Sequence, residues 1–352
     1  MRIVAVIAGG PSSEHEVSLW SGKRVHDSLD RHRYRPLYVL IEKDGTWVID
    51  GVPKPGPLAG ATALEEAGCE VVFPALHGPF GEDGTIQGFF ATIGVPCVGS
   101  DVAGSALACD KIRTKRLVAA AGIAVAPDRT LPPATPTQVA KSLGFPVFVK
   151  HPRGGSSIEV RRASNPSELA AALEELKDDT LLVEAAIAGR ELTVAILDDA
   201  TGVPRALPVA EVRVQGAYFD FENKYTPGVA EEIVPADVSP TVARDLQERA
   251  LRIHRLLGLR AMSRSDFILP PDGPPVFLET NTIPGLTPTS LLPQAAAAAG
   301  IGFPEVLTRL IESAVGSRPP DMMAPAWSRS SRSSGARSTG SSTGSTAAKS
   351  SS

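Results

Sequence analysis

Two apolar runs near the carboxyl end, Arg264-Ser265-Asp266-Phe267-Ile268-Leu269 and Val276-Phe277-Leu278-Glu279-Thr280-Asn281, flank the turn Pro270-Pro271-Asp272-Gly273-Pro274-Pro275. Apolar runs around Pro, Asp and Gly read as a β-hairpin, because those residues preset the backbone angles of a reversal. Residues two apart on a strand share a face, so Arg264 pairs with Asp266 and Glu279 with Asn281. Folding about the middle of the turn places Asp266 opposite Glu279 and Arg264 opposite Asn281. Phe267, Leu269, Val276 and Leu278 then face the other way, as suits a core. Asp, Glu and Asn oxygens without His or Cys select a hard cation, and Mg²⁺ completed by nucleotide phosphates is the expected occupant. Arg264 beside them suits a phosphoryl group or an oxyanion. A polar hairpin face turned to water has the same pattern, and the hairpin alone does not separate the two.

The rest of the chain supplies context. Arg2–Ala8, Leu37–Ile41 and Val71–Leu76 read as strands, alternating with helices at Ser18–Leu29 and from Thr85 to Gly94. Such alternation predicts a parallel sheet with ligands at the strand C-terminal ends. Helices are expected at Asp110–Ala121, Ser167–Leu176 and Thr241–Leu257, with strands at Pro146–Lys150, Thr180–Ala185, Glu191–Leu197 and Val209–Val214. A polar loop is expected from Gln215 to Glu232. The fold class is thus α/β and α+β, divided as 1–100, 101–188 and 189–317. From Ser328 the chain holds only Ser, Arg, Thr, Gly, Ala and Lys, so 318–352 is expected to be a disordered tail.

At 352 residues, 43% hydrophobic and 21% charged, the chain has material for two or three domains. A formal charge of -4 supplies no basic field, which disfavours nucleic acid as a partner. The apolar start breaks at Gly9-Gly10, too early for a signal peptide, and no run is long enough to span a membrane. Cys69, Cys97 and Cys109 show no C-x-x-C spacing and read as small buried hydrophobes, so the cytoplasm is the default location.

Neither a P-loop nor a strand-linked G-x-G-x-x-G is present. Val147-Phe148-Val149-Lys150 instead leads into Arg153-Gly154-Gly155-Ser156-Ser157, whose small residues can present N–H groups and hydroxyls to phosphates, or form a plain turn. Gly9-Gly10-Pro11-Ser12-Ser13-Glu14-His15-Glu16-Val17-Ser18 follows the first strand and opens the first helix. Ala75-Leu76-His77-Gly78-Pro79-Phe80-Gly81-Glu82-Asp83-Gly84-Thr85 sits at the end of the third. Together with Glu279-Thr280-Asn281-Thr282-Ile283-Pro284-Gly285-Leu286-Thr287, these segments resemble the D-alanine–D-alanine ligases of the ATP-grasp superfamily, over about Arg2 to Glu312.

The resemblance implies an ATP-grasp fold preceded by a parallel α/β domain. It implies ATP-dependent joining of two D-alanine molecules through a D-alanyl phosphate, in peptidoglycan precursor synthesis. Asp266, Glu279 and Asn281 would ligate two Mg²⁺ or Mn²⁺ ions, while Arg264 and the Gly285 N–H would form the oxyanion site. Lys111 and Lys150 would contact the ATP phosphates; Glu184 with backbone groups at Ala185 and Ile187 would read the base, and Glu191 the ribose. Lys224 and Tyr225, in Asp220-Phe221-Glu222-Asn223-Lys224-Tyr225, would lie on a closing loop. Glu14 would meet the first D-alanine's ammonium and join Ser156 and Tyr225 in a hydrogen-bonded triad. Ser290 and Leu291 would hold the second amino acid's carboxylate, although that segment read alone is a helix cap.

His77 matches the family's active-site histidine but is also compatible with a structural role, and His15 is expected to be structural. A homodimer is typical of the family. His151 and Glu159 depart from the family's Pro and Gly. Glu159 could face solvent, weaken nucleotide binding or engage the metal, and His151 is expected at the surface. D-serine or D-lactate as second substrate, or a non-catalytic nucleotide-binding relative, are the alternatives. Tyr225 argues against lactate, and Leu291 suits D-alanine.

Overall fold

A computed structural model describes residues 1–132, 134–154, 160–177, 180–214 and 230–316. The expected tail, the polar loop over 215–229 and positions 155–159 lie outside the described residues, and with them Ser156, Glu159, Lys224 and Tyr225.

Strands β1 (Arg2–Gly9), β2 (Tyr34–Ile41) and β5 (Val71–Pro74) form the parallel part of a five-stranded sheet, with β1 between the other two. Alternate β1 residues serve two cores. Ala5 and Ile7 join Val39, Trp47 and Phe90, whereas Val4 and Val6 join Tyr34, Phe73 and residues from the far end of the chain. The expected parallel sheet carries an unforeseen antiparallel edge: β3 (Trp47–Ile49) and β4 (Val52–Lys54) make a hairpin beside β2. Pro53 suits that edge, because its missing N–H interrupts no ladder there.

Helix α1 (His15–Ser28) follows β1 through Gly9 and Gly10, both at positive φ. At Gly9 a side chain would place its Cβ 2.3 Å from the Ile41 carbonyl oxygen, so only glycine fits. Helix α2 (Gly56–Glu66) packs on the edge hairpin, and α3 (Thr85–Thr92) follows the His77 turn.

Helices α4 (Val102–Cys109) and α5 (Lys111–Ala120) meet at Asp110, whose carboxylate accepts the Arg113 N–H and caps α5. A four-stranded antiparallel sheet in the order β6-β9-β7-β8 comes next, from Asp128–Leu131 (β6), Val147–Lys150 (β7), Val160–Ala163 (β8) and Leu181–Ala185 (β9). Helices α6 (Pro136–Leu143) and α7 (Pro166–Leu176) cover it around Val139, Val149, Leu169 and Val183.

A six-stranded sheet carries β10 (Arg190–Asp198) at its centre, with β11 (Pro204–Ala206), β12 (Ala210–Val214) and β14 (Met262–Leu269) paired to it. Strand β13 (Ala230–Ile233) pairs with β12, so the end of the expected polar loop is a strand. Helix α8 (Pro240–Leu256) buries Leu246, Ala250 and Ile253 against Leu192, Val194 and Ile196.

The hairpin partner of β14 is β15 (Val276–Asn281), in the expected register: Asp266 opposite Glu279 and Arg264 opposite Asn281. Beyond that pair the register shifts, because Phe267 faces Phe277. Leu278 is the additional residue of a β-bulge. The bulge inverts the expected facing of β15 only on the Val276 side, leaving Glu279 and Asn281 as expected. Phe277, not Val276 or Leu278, enters the core against Phe267, with ring centroids 5.9 Å apart, and Leu269 packs at its edge.

Helices α9 (Leu291–Ala298) and α10 (Phe303–Gly316) return to the first sheet. Leu292, Ala296, Leu307 and Ile311 share one core with Val4, Phe73, Leu197 and Met262. Glu312 closes this contact, accepting from Arg2 at 3.0 Å and from the Tyr34 hydroxyl at 2.7 Å. Burial, then the Glu312 hydrogen bond, push the Tyr34 phenol up to about 12. No helix among the described residues is long and apolar enough to cross a membrane.

Candidate active site

A cavity of about 380 Å³ opens where the three sheets meet, with Glu14, His77, Lys111, Arg264, Glu279 and Asn281 in its wall. Gly285, Ser290 and Leu291 also line it. Residues more than 260 positions apart in the chain, from Glu14 to Leu291, thus share one space.

The face of β14 grades from core to site. Met262 is in the core shared with β1, and Arg264 and Asp266 follow at two-residue steps. Asp266 is 8% exposed and accepts two hydrogen bonds from Arg264, at 2.9 and 2.8 Å. The hydroxyl of Thr193, opposite on β10, also donates to it. Burial alone would lower the Arg264 pKa; Asp266, then Glu279 and Glu82, more than offset it and leave the pKa raised. Arg264 is therefore a fixed cation, two of whose five N–H bonds are committed to Asp266.

Glu279 pairs with the Lys111 ammonium at 3.2 Å, and Lys111 also donates to the Gly154 carbonyl at 2.7 Å. Burial works against the Lys111 charge, but Glu279 raises its pKa overall. One lysine thus ties the start of α5 to the Gly-rich segment and to β15. The carboxylate oxygens of Asp266 and Glu279 with the Asn281 amide oxygen form a hard-donor set on one hairpin face, consistent with a divalent cation.

On the facing wall, Glu14, His77 and Glu82 each bring a ligand atom within 4.8 Å of the others. Glu82 accepts from the Gly78 N–H at 2.9 Å and the Ile283 N–H at 3.0 Å. Burial, then the Glu14 carboxylate, push Glu82 up to about 7. Two carboxylates on one wall have the chemistry to receive a small cation such as an ammonium.

His77 Nδ1 lies 3.1 Å from the Ile283 carbonyl oxygen and Nε2 2.8 Å from Ser21 Oγ. A carbonyl only accepts, so Nδ1 carries the proton and Nε2 accepts from the Ser21 hydroxyl. These two contacts fix the His77 ring at the cavity wall. His15 is structural as expected: its Nδ1 lies 2.7 Å from the Gly10 carbonyl oxygen.

Ser290 precedes α9 as a cap should, but its hydroxyl takes the Thr287 N–H at 3.0 Å and makes no cap bond to the helix. The turn it braces is tight. A Cβ on Gly285 would lie 2.6 Å from Ser290 Oγ, which accounts for glycine there.

Of the expected nucleotide residues within the described segments, Lys111 is in the cavity wall, whereas Lys150, Glu184, Ala185, Ile187 and Glu191, on or between β7, β9 and β10, lie outside it. Glu184 is 3% exposed, with one carboxylate oxygen paired to Lys150 and the other to Lys115. Burial opposes its charge, but Lys150 and then Lys115 leave the pKa lowered. Lys115 is 1% exposed, and a second carboxylate, Asp128, compensates it at 2.9 Å. The sequence reading missed Lys115; its one signal was the four-residue spacing from Lys111, which puts both on one helical face. The Ala185 N–H is taken by the Pro127 carbonyl at 2.9 Å and is not available to a base. Glu191 is the second residue of β10, opposite Ile268 and two residues from Thr193, and Ile187 lies between β9 and β10. The three cysteines are unpaired, and burial pushes Cys69 up to about 11.

A parallel α/β sheet followed by two antiparallel sheets, with a carboxylate-bearing hairpin facing the cleft, defines the ATP-grasp class of enzymes. The D-ala D-ala ligase C-terminus model matches residues 117–312, and the N-terminus model matches 3–55 and 53–100. The D-alanine–D-alanine ligase of Chlorobium luteolum is 39% identical over 350 residues, covering 89% of this chain and 96% of its own. Among solved structures, the VanG D-Ala:D-Ser ligase from Enterococcus faecalis superposes with a TM-score of 0.76 at 32% identity, over 89% of this chain and 99% of that one. The D-alanine–D-alanine ligase from Coxiella burnetii gives 0.76 at 28% identity, over 90% and 94%. The chain belongs to the D-alanine–D-alanine ligase family.

Proposed function

We propose that the protein joins two D-alanine molecules at the expense of ATP, for peptidoglycan precursor synthesis. The observation that carries this reading is the single cavity in which the Glu14–His77–Glu82 wall faces Arg264, Glu279, Asn281 and Gly285. An ammonium receptor and a phosphoryl-stabilising surface one cavity apart are what activation of an amino-acid carboxylate requires.

The first D-alanine sets its ammonium against Glu14, and its carboxylate oxygen attacks the terminal phosphorus of ATP. The bond to ADP breaks, and a D-alanyl phosphate forms. Asp266, Glu279 and Asn281 would hold two Mg²⁺ or Mn²⁺ ions, which supply charge neutralisation at the transferring phosphoryl group. Lys111 and Lys150 neutralise phosphate charge, and Glu191 takes the ribose. The second D-alanine, its carboxylate held at Ser290 and Leu291, loses a proton and attacks the acyl carbon. Arg264 and the Gly285 N–H stabilise the resulting oxyanion, and phosphate leaves with the C–O electron pair. A cytoplasmic homodimer is the setting that accompanies this reading.

The E. faecalis relative is named for D-serine, which makes D-serine the second acceptor to test. Phosphate release is measured with ATP, Mg²⁺ and D-alanine, D-serine or D-lactate supplied separately and in pairs with D-alanine, and products are identified by mass. Release with D-alanine alone and a D-alanyl-D-alanine product support the reading. A mixed product at equal D-amino acid concentrations moves the assignment to D-serine, and no release under any condition overturns both.

A further inference from the structure

The turn that carries Gly285 is fastened on both sides, and most of the fastening comes from a distant part of the chain. On the side of Ile283, the N–H donates to Glu82 and the carbonyl accepts from His77. On the side of Leu286, the N–H donates to Ser21 Oγ at 3.4 Å. The Leu286 carbonyl accepts from Arg24 Nη1 at 2.8 Å. Ser21 and Arg24 are neighbours on one face of α1, three residues apart.

Arg24 is fixed in turn. Its guanidinium carbon stands 3.8 Å from the centroid of the Phe303 ring, at the start of α10, and the residue is half-buried. A planar cation stacked on an aromatic face keeps one orientation with little further loss of freedom. Three elements therefore meet at this side chain: α1, the Gly285 turn and α10.

We infer that Arg24 is a positioning residue for the ligation step: through the Leu286 carbonyl it sets the direction of the Gly285 N–H. This inference rests on the proposed function, in which that N–H receives the oxyanion. Arg24 touches no reacting atom. Its loss relaxes the turn on one side, and stabilisation of a developing oxyanion is sensitive to donor placement at the ångström scale. The first step, phosphoryl transfer to the carboxylate, does not use this donor and is left intact.

The test compares the full chain with its Arg24→Gln, Arg24→Lys and Phe303→Leu variants, using ATP, Mg²⁺ and D-alanine. Dipeptide formation reads the second step. Hydroxylamine reads the first, because its amine displaces phosphate from the acyl phosphate and gives a hydroxamate. Arg24→Gln is expected to lower kcat for dipeptide by about 10- to 100-fold, with the KM for ATP and the hydroxamate yield held or increased. Arg24→Lys recovers part of the loss, since its ammonium still donates to a carbonyl, and Phe303→Leu shows a smaller loss of the same kind. Equal dipeptide rates in Arg24→Gln and the unaltered protein overturn the inference. So does a parallel fall in both products with a lowered melting temperature, shared by Phe303→Leu, since that is a folding effect. If the unaltered protein makes neither product, it is the proposed function that fails.

Discussion

The two ends of the site handle charge in opposite ways. Around the cavity, beside the Arg264–Asp266 and Lys111–Glu279 ion pairs, several polar side chains are held by the backbone: Glu82 by two N–H groups, His77 by the Ile283 carbonyl, Ser290 by the Thr287 N–H. At the expected nucleotide end, side chains hold one another instead, Lys115 and Lys150 on Glu184 and Lys115 again on Asp128. Backbone-anchored groups are preorganised, which is what a transition state exploits. Mutually paired groups are stable without ligand, and a phosphate bound as proposed would compete with Glu184 for Lys150. The first end should therefore set rate, and the second should set stability and nucleotide affinity.

Substitution at the hairpin is the most severe way to test this division. Glu279→Gln is expected to lower kcat by roughly a thousandfold or more, through loss of charge at the phosphoryl site. Its melting temperature should change little, because Glu279 is partly exposed and its ion pair with Lys111 spans the cavity wall. ADP release at saturating Mg²⁺ measures the first and thermal unfolding the second; near-normal turnover would remove the hairpin from the chemistry. Lys115→Met should show the reverse. Removing one cation from two buried carboxylates costs about 3 kcal/mol of stability, read from denaturant midpoints. An unaltered midpoint would mean that Lys150 and Arg116 already suffice for Glu184 and Asp128.

Gly285→Ala should reduce kcat about 100-fold, because the new methyl collides with Ser290 Oγ. Ser290→Ala in the same chain should return part of that loss by relieving the contact. Failure of the double variant to exceed the single one in kcat would point away from the steric cause.

The smallest effect concerns pH. Glu82 is pushed up to about 7 from an ordinary value of 4.5, so the folded state holds its proton more tightly than the unfolded chain. Its contribution to stability is complete below pH 4.5 and is lost as pH rises through 7. Melting temperatures from pH 4.5 to 8 should fall less steeply in Glu82→Gln than in the unaltered protein. Identical slopes would mean that the group titrates at its ordinary value.

The hairpin side of the cavity was largely legible in the sequence; the ion-pair cluster around Glu184 was not. Asp266, Glu279, Arg264 and Asn281 fell into place because a hairpin's period of two is a local rule and Pro270 to Pro275 fix where it turns. The bulge at Leu278 was hidden, since Val276, Phe277 and Leu278 are all apolar and either facing looks suitable. Strands β3 and β4 were overlooked because each is three residues long, too short for any alternation to register. Lys115 sits in a helix as an unremarkable basic residue. Only tertiary contact with β6 and β9, brought up by the chain reversal after α5, makes it a buried cation. The ion pairs of Glu184 with Lys115 and Lys150 went unforeseen for the same reason.

The shared core between β1 and α10 bears on how the molecule is made. Val4, Val6 and Phe73 leave the ribosome early, while Leu307, Leu310 and Ile311, in the same core, are translated some 230 residues after Phe73 and some 300 after Val4. Until then one side of the first sheet, covered only in part by Val25 and Leu29 of the first helix and its cap, leaves apolar surface open to chaperones and to other nascent chains. A messenger cut short before Phe303 would yield a product with every hairpin ligand in place and no lid for its opening strands, so premature termination should surface as insolubility before it surfaces as lost turnover.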